Sequence, residues 1–208
     1  MEVIRCGNLT LVRFVNSIYA SNTYLLHVDG HTEAWLIDCG DPDPVWNYLS
    51  REGLVLQGVF LTHVHYDHIY GLNVLKTRLR DLVVYTSEKG IQNLENSKYN
   101  FSKYHGVDFR YSTTDVSVLH DQSVILLFPD HTLAVFITPG HDWSSMTYRV
   151  SNLLFTGDAF IPGLKTVTTF PKSDRLQAAH SLEIIKQQIT PATMICPGHG
   201  PIVENIVI

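Results

Sequence analysis

Residues 62–68 read Thr-His-Val-His-Tyr-Asp-His, which puts His63, His65, Asp67 and His68 within one short stretch. Neutral imidazoles and ionised carboxylates are the ligands that zinc, iron and manganese share. In an extended segment alternate side chains face the same way, so His63 and His65 can reach one cation. Asp67 and His68 then turn elsewhere. A helix cap would use Asp67 alone and leaves three histidines unexplained. Three further clusters set a potential ligand beside a glycine: Pro139-Gly140-His141, Gly157-Asp158 and Pro197-Gly198-His199-Gly200. Glycine lets the backbone turn tightly and brings a side chain into a crowded centre. Each of these alone reads as an ordinary turn. Together with the first they supply seven donors: His63, His65, Asp67, His68, His141, Asp158 and His199. One tetrahedral zinc takes only about four ligands, a water included. Two metal ions with a carboxylate between them account for the excess.

The elements that must position these residues are legible in outline. Alternating and β-branched runs predict strands over residues 9–17, 22–28 and 33–37, the last two joined by Asp29-Gly30. Asp43-Pro44 opens a short helix reaching residue 49, and residues 54–61 form an apolar strand that delivers the histidine cluster. A helix is expected over 68–79, where Ile69, Leu72, Leu75 and Leu79 keep helical spacing, then a strand at 82–85 and a helix at 88–94. The second half predicts strands at 123–128, 132–138, 146–151, 153–156 and 194–196, with a helix over 174–188 before the last. Two strand-rich halves flanked by helices imply an α/β protein built as an αββα four-layer sandwich. Each ligand cluster follows an apolar run, at the strand ends where open α/β sheets gather their sites.

Composition bounds the rest. With 208 residues, 45% of them hydrophobic, and no linker or repeat, residues 1–208 are read as a single domain. A formal net charge of -5 gives no basic surface for a phosphate backbone, so nucleic acid is not expected as a partner. The N-terminal segment lacks an apolar core of signal-peptide length, and no run approaches the roughly 18 apolar residues of a membrane span. No membrane association is expected, and a cytoplasmic location is. The three cysteines, Cys6, Cys39 and Cys196, are far apart and outside CxxC spacing, which fits reduced thiols. Cys39 and Cys196 follow apolar stretches and read as packed residues, not nucleophiles.

From Ile37-Asp38-Cys39-Gly40 to Gly200 the motifs resemble, in order, those of the metallo-β-lactamase superfamily, and within it the glyoxalase II-like hydrolases. The resemblance implies that His63, His65 and His141 hold one metal, that Asp67, His68 and His199 hold the second, and that Asp158 bridges them. It implies two divalent ions, zinc first with iron or manganese also suited, and puts the catalytic carboxylates at Asp67 and Asp158. Asp38 matches an aspartate that supports the ligand loop from behind, although an ordinary Asp-x-Gly turn accounts for it equally. The implied activity is hydrolysis of a thioester, ester or lactone, a small-molecule substrate, by a water ionised between the metals. The alternative within the same superfamily is a persulfide dioxygenase-like oxidoreductase with one iron on His63, His141 and Asp158. A binding module without catalysis is the third reading.

The resemblance also has departures. Glyoxalase II draws cations for glutathione from a further helical domain, whereas this sequence ends eight residues past Gly200, and residues 160–174 offer only Lys165 and Lys172. A thioester of another thiol, or a small ester or lactone, is therefore expected. Zinc β-lactamases place other residues where Asp67 or Asp158 stand, and flavodiiron proteins place a glutamate where His65 stands, so both are set aside. Residues 96–111 are rich in aromatics without a period, and read either as a lid over the site or as a surface loop packing its own rings. His27, His31, His105, His120, His131 and His180 lie outside the motifs and read as surface or satisfied polar residues.

Overall fold

The computed structural model describes residues 1–204. Strands β1 (Glu2–Cys6), β2 (Leu9–Val15), β3 (Asn22–Val28) and β4 (Glu33–Ile37) form an antiparallel meander. Helix α1 (Pro42–Glu52) then leads to β5 (Val55–Phe60), α2 (Leu72–Arg78) to β6 (Val83–Thr86), and α3 (Glu88–Leu94) precedes β7 (Val116–Val118). These crossovers make β4 to β7 parallel, completing a seven-stranded sheet in chain order. The second sheet runs β12-β11-β10-β9-β8, from β8 (Val124–Phe128), β9 (His131–Ile137), β10 (Met146–Val150), β11 (Leu153–Gly157) and β12 (Met194–Pro197). It is antiparallel except where α4 (Arg175–Gln187) carries the chain over to lay β12 parallel to β11.

Side-chain alternation along the strands sorts the core into layers. In β2, Leu9 and Leu11 face the second sheet, where they join Leu133, Tyr148 and Phe155, while Val12 and Phe14 face α1 and α2. Val45, Leu49, Leu72 and Leu75 cover that outer face. On the far side α4 presses Ile185 onto Leu154 and Ile195. The expected order of helix, sheet, sheet, helix is what these clusters describe. Each large core side chain buried this way contributes roughly 1.5 to 3 kcal/mol.

Several elements depart from the sequence expectation. Strand β1 was not foreseen, because at the edge of its sheet it is mostly exposed and only Ile4 and Cys6 are half-buried against the core. Strand β7 is only three residues long and half-buried throughout. Helix α1 starts at Pro42 and runs to Glu52, where Gly53 ends it with a left-handed φ of 66°. The helix expected from residue 68 begins at Leu72, because Tyr66–His68 is a 3-10 turn and Ile69–Gly71 turn again. That stretch is held by the Cys39 amide donating to the His68 carbonyl (2.7 Å) and the Gly71 amide donating to the Cys39 carbonyl (3.1 Å). Presentation of Asp67 and His68 thus overrides the helical pattern. No helix among the described residues is long and apolar enough to cross a membrane.

Candidate metal centre

Every proposed ligand follows a strand that ends on the same side of the sandwich: 62–68 after β5, His141 after β9, Asp158 after β11 and His199 after β12. The first loop is pinned from the opposite sheet. The Met146 amide donates to the Thr62 carbonyl (2.7 Å), and the hydroxyl of the fully buried Tyr148 donates to the Leu61 carbonyl (2.5 Å). The last loop is pinned by β3, whose Asn22 donates from its amide to the Gly198 carbonyl and from Nδ2 to Pro197 and Gly200.

Two glycines decide whether the loops can approach. Gly157 has φ of 49°, and a Cβ there would come within 2.5 Å of Thr62 Oγ1. At Gly198 a Cβ would collide with Asp158 Oδ1 itself, so only hydrogen fits between that loop and the carboxylate.

The structure brings all seven donors together. Ligand atoms of His63, His65 and His141 lie within 4.8 Å of one another, and so do those of Asp67, His68 and His199. Asp158 stands between the two groups, with Oδ2 3.5 Å from His141 Nε2 and 3.4 Å from His199 Nε2. Asp67 Oδ2 is 3.4 Å from His68 Nε2 and 3.3 Å from His199 Nε2.

At His63, His68, His141 and His199 the ring nitrogen facing away from the centre is hydrogen-bonded, which sets the tautomers. His141 Nδ1 donates to the Val167 carbonyl (3.1 Å) and His199 Nδ1 to the Tyr19 carbonyl (3.1 Å). His68 Nδ1 donates to Asp38 Oδ2 (3.0 Å). Thr62 Oγ1 gives its one proton to Asp38 Oδ2 (2.7 Å) and can only accept from His63 Nδ1 (3.1 Å). His65 is reversed: its Nε2 faces Asp142 Oδ2 at 3.6 Å, and its Nδ1 faces inward, 3.1 Å from His141 Nε2. Such outer partners orient ligating imidazoles and raise their basicity. Asp38 is spent in this role, since Oδ1 also accepts from the Thr62 amide (2.7 Å), so it stands behind His68 and not in the ligand set. Its backbone sits at φ 60°, unusual for a non-glycine residue.

The metal fits what is left over. His63 Nε2 and Asp158 Oδ1 are buried without any hydrogen-bond partner. Two inward ring nitrogens approach to 3.1 Å at His65 and His141, and two more to 3.3 Å at His68 and His199. Lone pairs at that separation are tolerable only with a proton or a cation between them. Electrostatics follow the same division. Burial, with the neighbouring His68 and His65, holds His63 well below the ordinary histidine range, and burial lowers His141 to about 4. Burial also acts to lower His68, but Asp67, Asp38 and Asp158 override it and raise the ring to about 9. His199 goes up to about 10 against its own desolvation, through hydrogen bonds to Asp158 and Asp67. Burial pushes the Asp158 carboxyl up, yet the His199 hydrogen bond and the charge of His68 win and hold it well below the carboxylate range. A centre that keeps two protons beside two carboxylates already has positions for positive charge.

Sequence reasoning missed Asp142, which is fully buried, accepts from Asn93 Nδ2 (3.0 Å) and the Ser144 amide (2.8 Å), and leaves Oδ2 to His65 alone. Its only signal was its place directly after His141. It missed Thr62 as well, and the backbone carbonyls of Tyr19 and Val167 carry no sequence signal. Residues 96–111 divide between the two expectations. Most of the stretch packs on itself through buried Asn100, which donates to the Asn93 and Phe109 carbonyls, but Phe101 lies against the His65 ring at 4.6 Å. Phe170, from the loop before α4, meets His65 and His141 edge-on. Cys39 and Cys196 are buried and their thiols pushed up by desolvation, so neither serves as a nucleophile.

The sequence pattern of the metallo-beta-lactamase superfamily matches residues 18–199. The chain belongs to that superfamily. Within it, a hydroxyacylglutathione hydrolase from Pseudoalteromonas translucida is 29% identical over 152 residues, 73% of this chain and 51% of that protein. The chain thus spans about half the length of that curated relative. Among solved structures, BLEG-1 B3 metallo-beta-lactamase superposes with a TM-score of 0.84 at 25% identity, covering 93% of both chains. TTHA1623 in a di-iron-bound form has a TM-score of 0.80 at 24% identity, over 93% of this chain and 94% of that one, and shows the shared fold. This metallo-beta-lactamase superfamily chain carries a His/Asp cluster consistent with a dinuclear metal centre.

Proposed function

We propose that the chain is a metal-dependent hydrolase that cleaves a thioester, ester or lactone at a dinuclear centre. The observation that carries this reading is the convergence of inward nitrogens from five histidines, four of them hydrogen-bonded from outside and His65 facing Asp142, on the two carboxylates Asp67 and Asp158. His63, His65 and His141 would hold one divalent ion, Asp67, His68 and His199 the other, and Asp158 both. Zinc, iron and manganese all suit such a set. Bound there, two divalent ions supply a water ionised near neutral pH and polarise the substrate carbonyl, so the chain needs no serine or cysteine nucleophile.

The chain's own residues do the positioning. Asp38 and Thr62 lock His63 and His68 as a unit, and Asp142 sets His65, so the centre changes little in shape as charge develops. The complete second group, Asp67, His68 and His199, supports two metals over the single-iron oxidoreductase alternative. Kinship with a hydroxyacylglutathione hydrolase supports thioester chemistry.

The reading predicts about two equivalents of metal per chain by elemental analysis. His63→Ala or Asp158→Ala abolishes turnover on a panel of thioesters, esters and lactones while the circular dichroism spectrum stays that of the parent. Metal-depleted protein that hydrolyses those substrates at the full rate overturns the reading.

A further inference from the structure

Two aromatic rings from different loops meet over the first group of histidines. Phe101 lies 4.6 Å from the His65 ring, Phe170 lies 5.9 Å from both His65 and His141, and the two phenyl rings are 5.4 Å apart. Neither ring is part of the hydrophobic core. Phe170 is 44% exposed and Phe101 half-buried, although exposing an aromatic ring forgoes the gain of burying it.

The positions are held at a cost. Phe101 has φ of 64°, a left-handed conformation that is a genuine outlier for a bulky residue and costs on the order of 1 to 3 kcal/mol. It is fixed there by buried Asn100, whose Oδ1 accepts from the Ser102 amide (3.0 Å) and whose Nδ2 bonds the Asn93 and Phe109 carbonyls. Phe170 is fixed from both sides. Upstream, Val167 holds His141; downstream, Lys172 sits over the rings of Trp143 (4.3 Å) and Tyr99 (4.7 Å), tying this loop to the one that carries Phe101. A strained, braced and solvent-facing pair beside ligands reads as a binding surface.

We propose that Phe101 and Phe170 form an aromatic clamp for the acyl part of the substrate, selecting an apolar, preferably aryl, acyl group over a hydroxylated one. This rests on the hydrolase reading and adds the substrate class. Two phenyl faces offer dispersion and ring-ring contact to an aryl or branched alkyl group, and no hydrogen bond to an acyl hydroxyl. A hydroxyl placed there gives up its water without replacement.

The test compares kcat/KM for phenylacetyl and lactoyl thioesters of one thiol, alongside calorimetric binding of phenylacetate and lactate, the product acids, to zinc-loaded protein. The wild type favours the phenylacetyl member of each pair by about tenfold or more, as expected for one buried aromatic group. Phe170→Ala, and Phe101→Gly, which also suits the left-handed backbone, each reduce that ratio by roughly threefold to tenfold with zinc content unchanged. A wild type that binds the two acids equally, or variants in which both members of each pair fall in proportion, overturns the clamp. If no thioester turns over but phenylacetate still binds more tightly and loses that margin in the variants, the clamp stands and the hydrolase reading fails.

Discussion

At the scale of single residues, the site depends on atoms that touch no substrate. Asp142 is the clearest case: a fully buried carboxylate whose Oδ2 faces only His65 Nε2. Asp142→Asn keeps the size and one acceptor for the Ser144 amide, but replaces a charge with a dipole. Metal affinity is expected to fall by about 10-fold to 100-fold, the usual effect of losing an outer partner of a ligand. Competition against a graded series of chelators measures it. An affinity within twofold of the parent means that Asp142 contributes packing alone. Asp38 works in the same manner on His68, though its identity was readable in the sequence only as one of two equal accounts, a support or a turn.

At the scale of elements, strand ends and glycine turns deliver the donors. Among the glycines beside the donors Gly198 is the one whose side chain would meet a proposed ligand, Asp158. Gly198→Ala must therefore move either the Asp158 carboxylate, which stands between the two groups, or the loop that carries His199, a member of the second. We expect the variant to fold, to lose stability by about 1 to 3 kcal/mol as overpacking does, and to retain about one equivalent of metal where the parent holds about two. Denaturant unfolding and elemental analysis read the two effects separately. Full occupancy with parental stability would mean that the loop yields without cost.

For the molecule as a whole, the centre ties stability to pH. His68 and His199 are raised to about 9 and about 10, above the ordinary histidine value of about 6.5. The metal-free fold binds these protons more tightly than the unfolded chain does. The stability they contribute is complete below about pH 6.5 and is lost as the pH rises through about 9 to 10. His63 and His141 act with the opposite sign. Their folded values are depressed, to about 4 for His141, so their contribution is present above about pH 6.5 and is lost as the pH falls through about 4. The thermal midpoint of metal-free protein should therefore peak near about pH 6.5 and decline toward pH 10. Metal loading should flatten that alkaline decline, because the cation stands where the protons stood, and calorimetry in buffers of different ionisation enthalpy should detect their release. A metal-free midpoint that rises steadily from pH 6.5 to 9 contradicts this account.

The sequence alone named the seven side chains that converge in the fold, and the layer order. Ligand chemistry is written in residue type, and His63 and His65 share a side because extended chain alternates. Long apolar strands such as β5 and the helical spacing of α4 were legible for the same reason: their periodicity is local. Tertiary structure decided what depends on distant chain. The exposed edge strand β1 and the short β7 take their form from neighbours, and the turn at Tyr66–His68 displaces a helical pattern because Cys39 captures its backbone. The tautomers rest on Asp38, Asp142 and the carbonyls of Tyr19 and Val167, up to 180 residues away along the chain. A hydrogen bond to a backbone carbonyl leaves no mark on side-chain identity, and only folding shows which nitrogen of each ring remains for a metal.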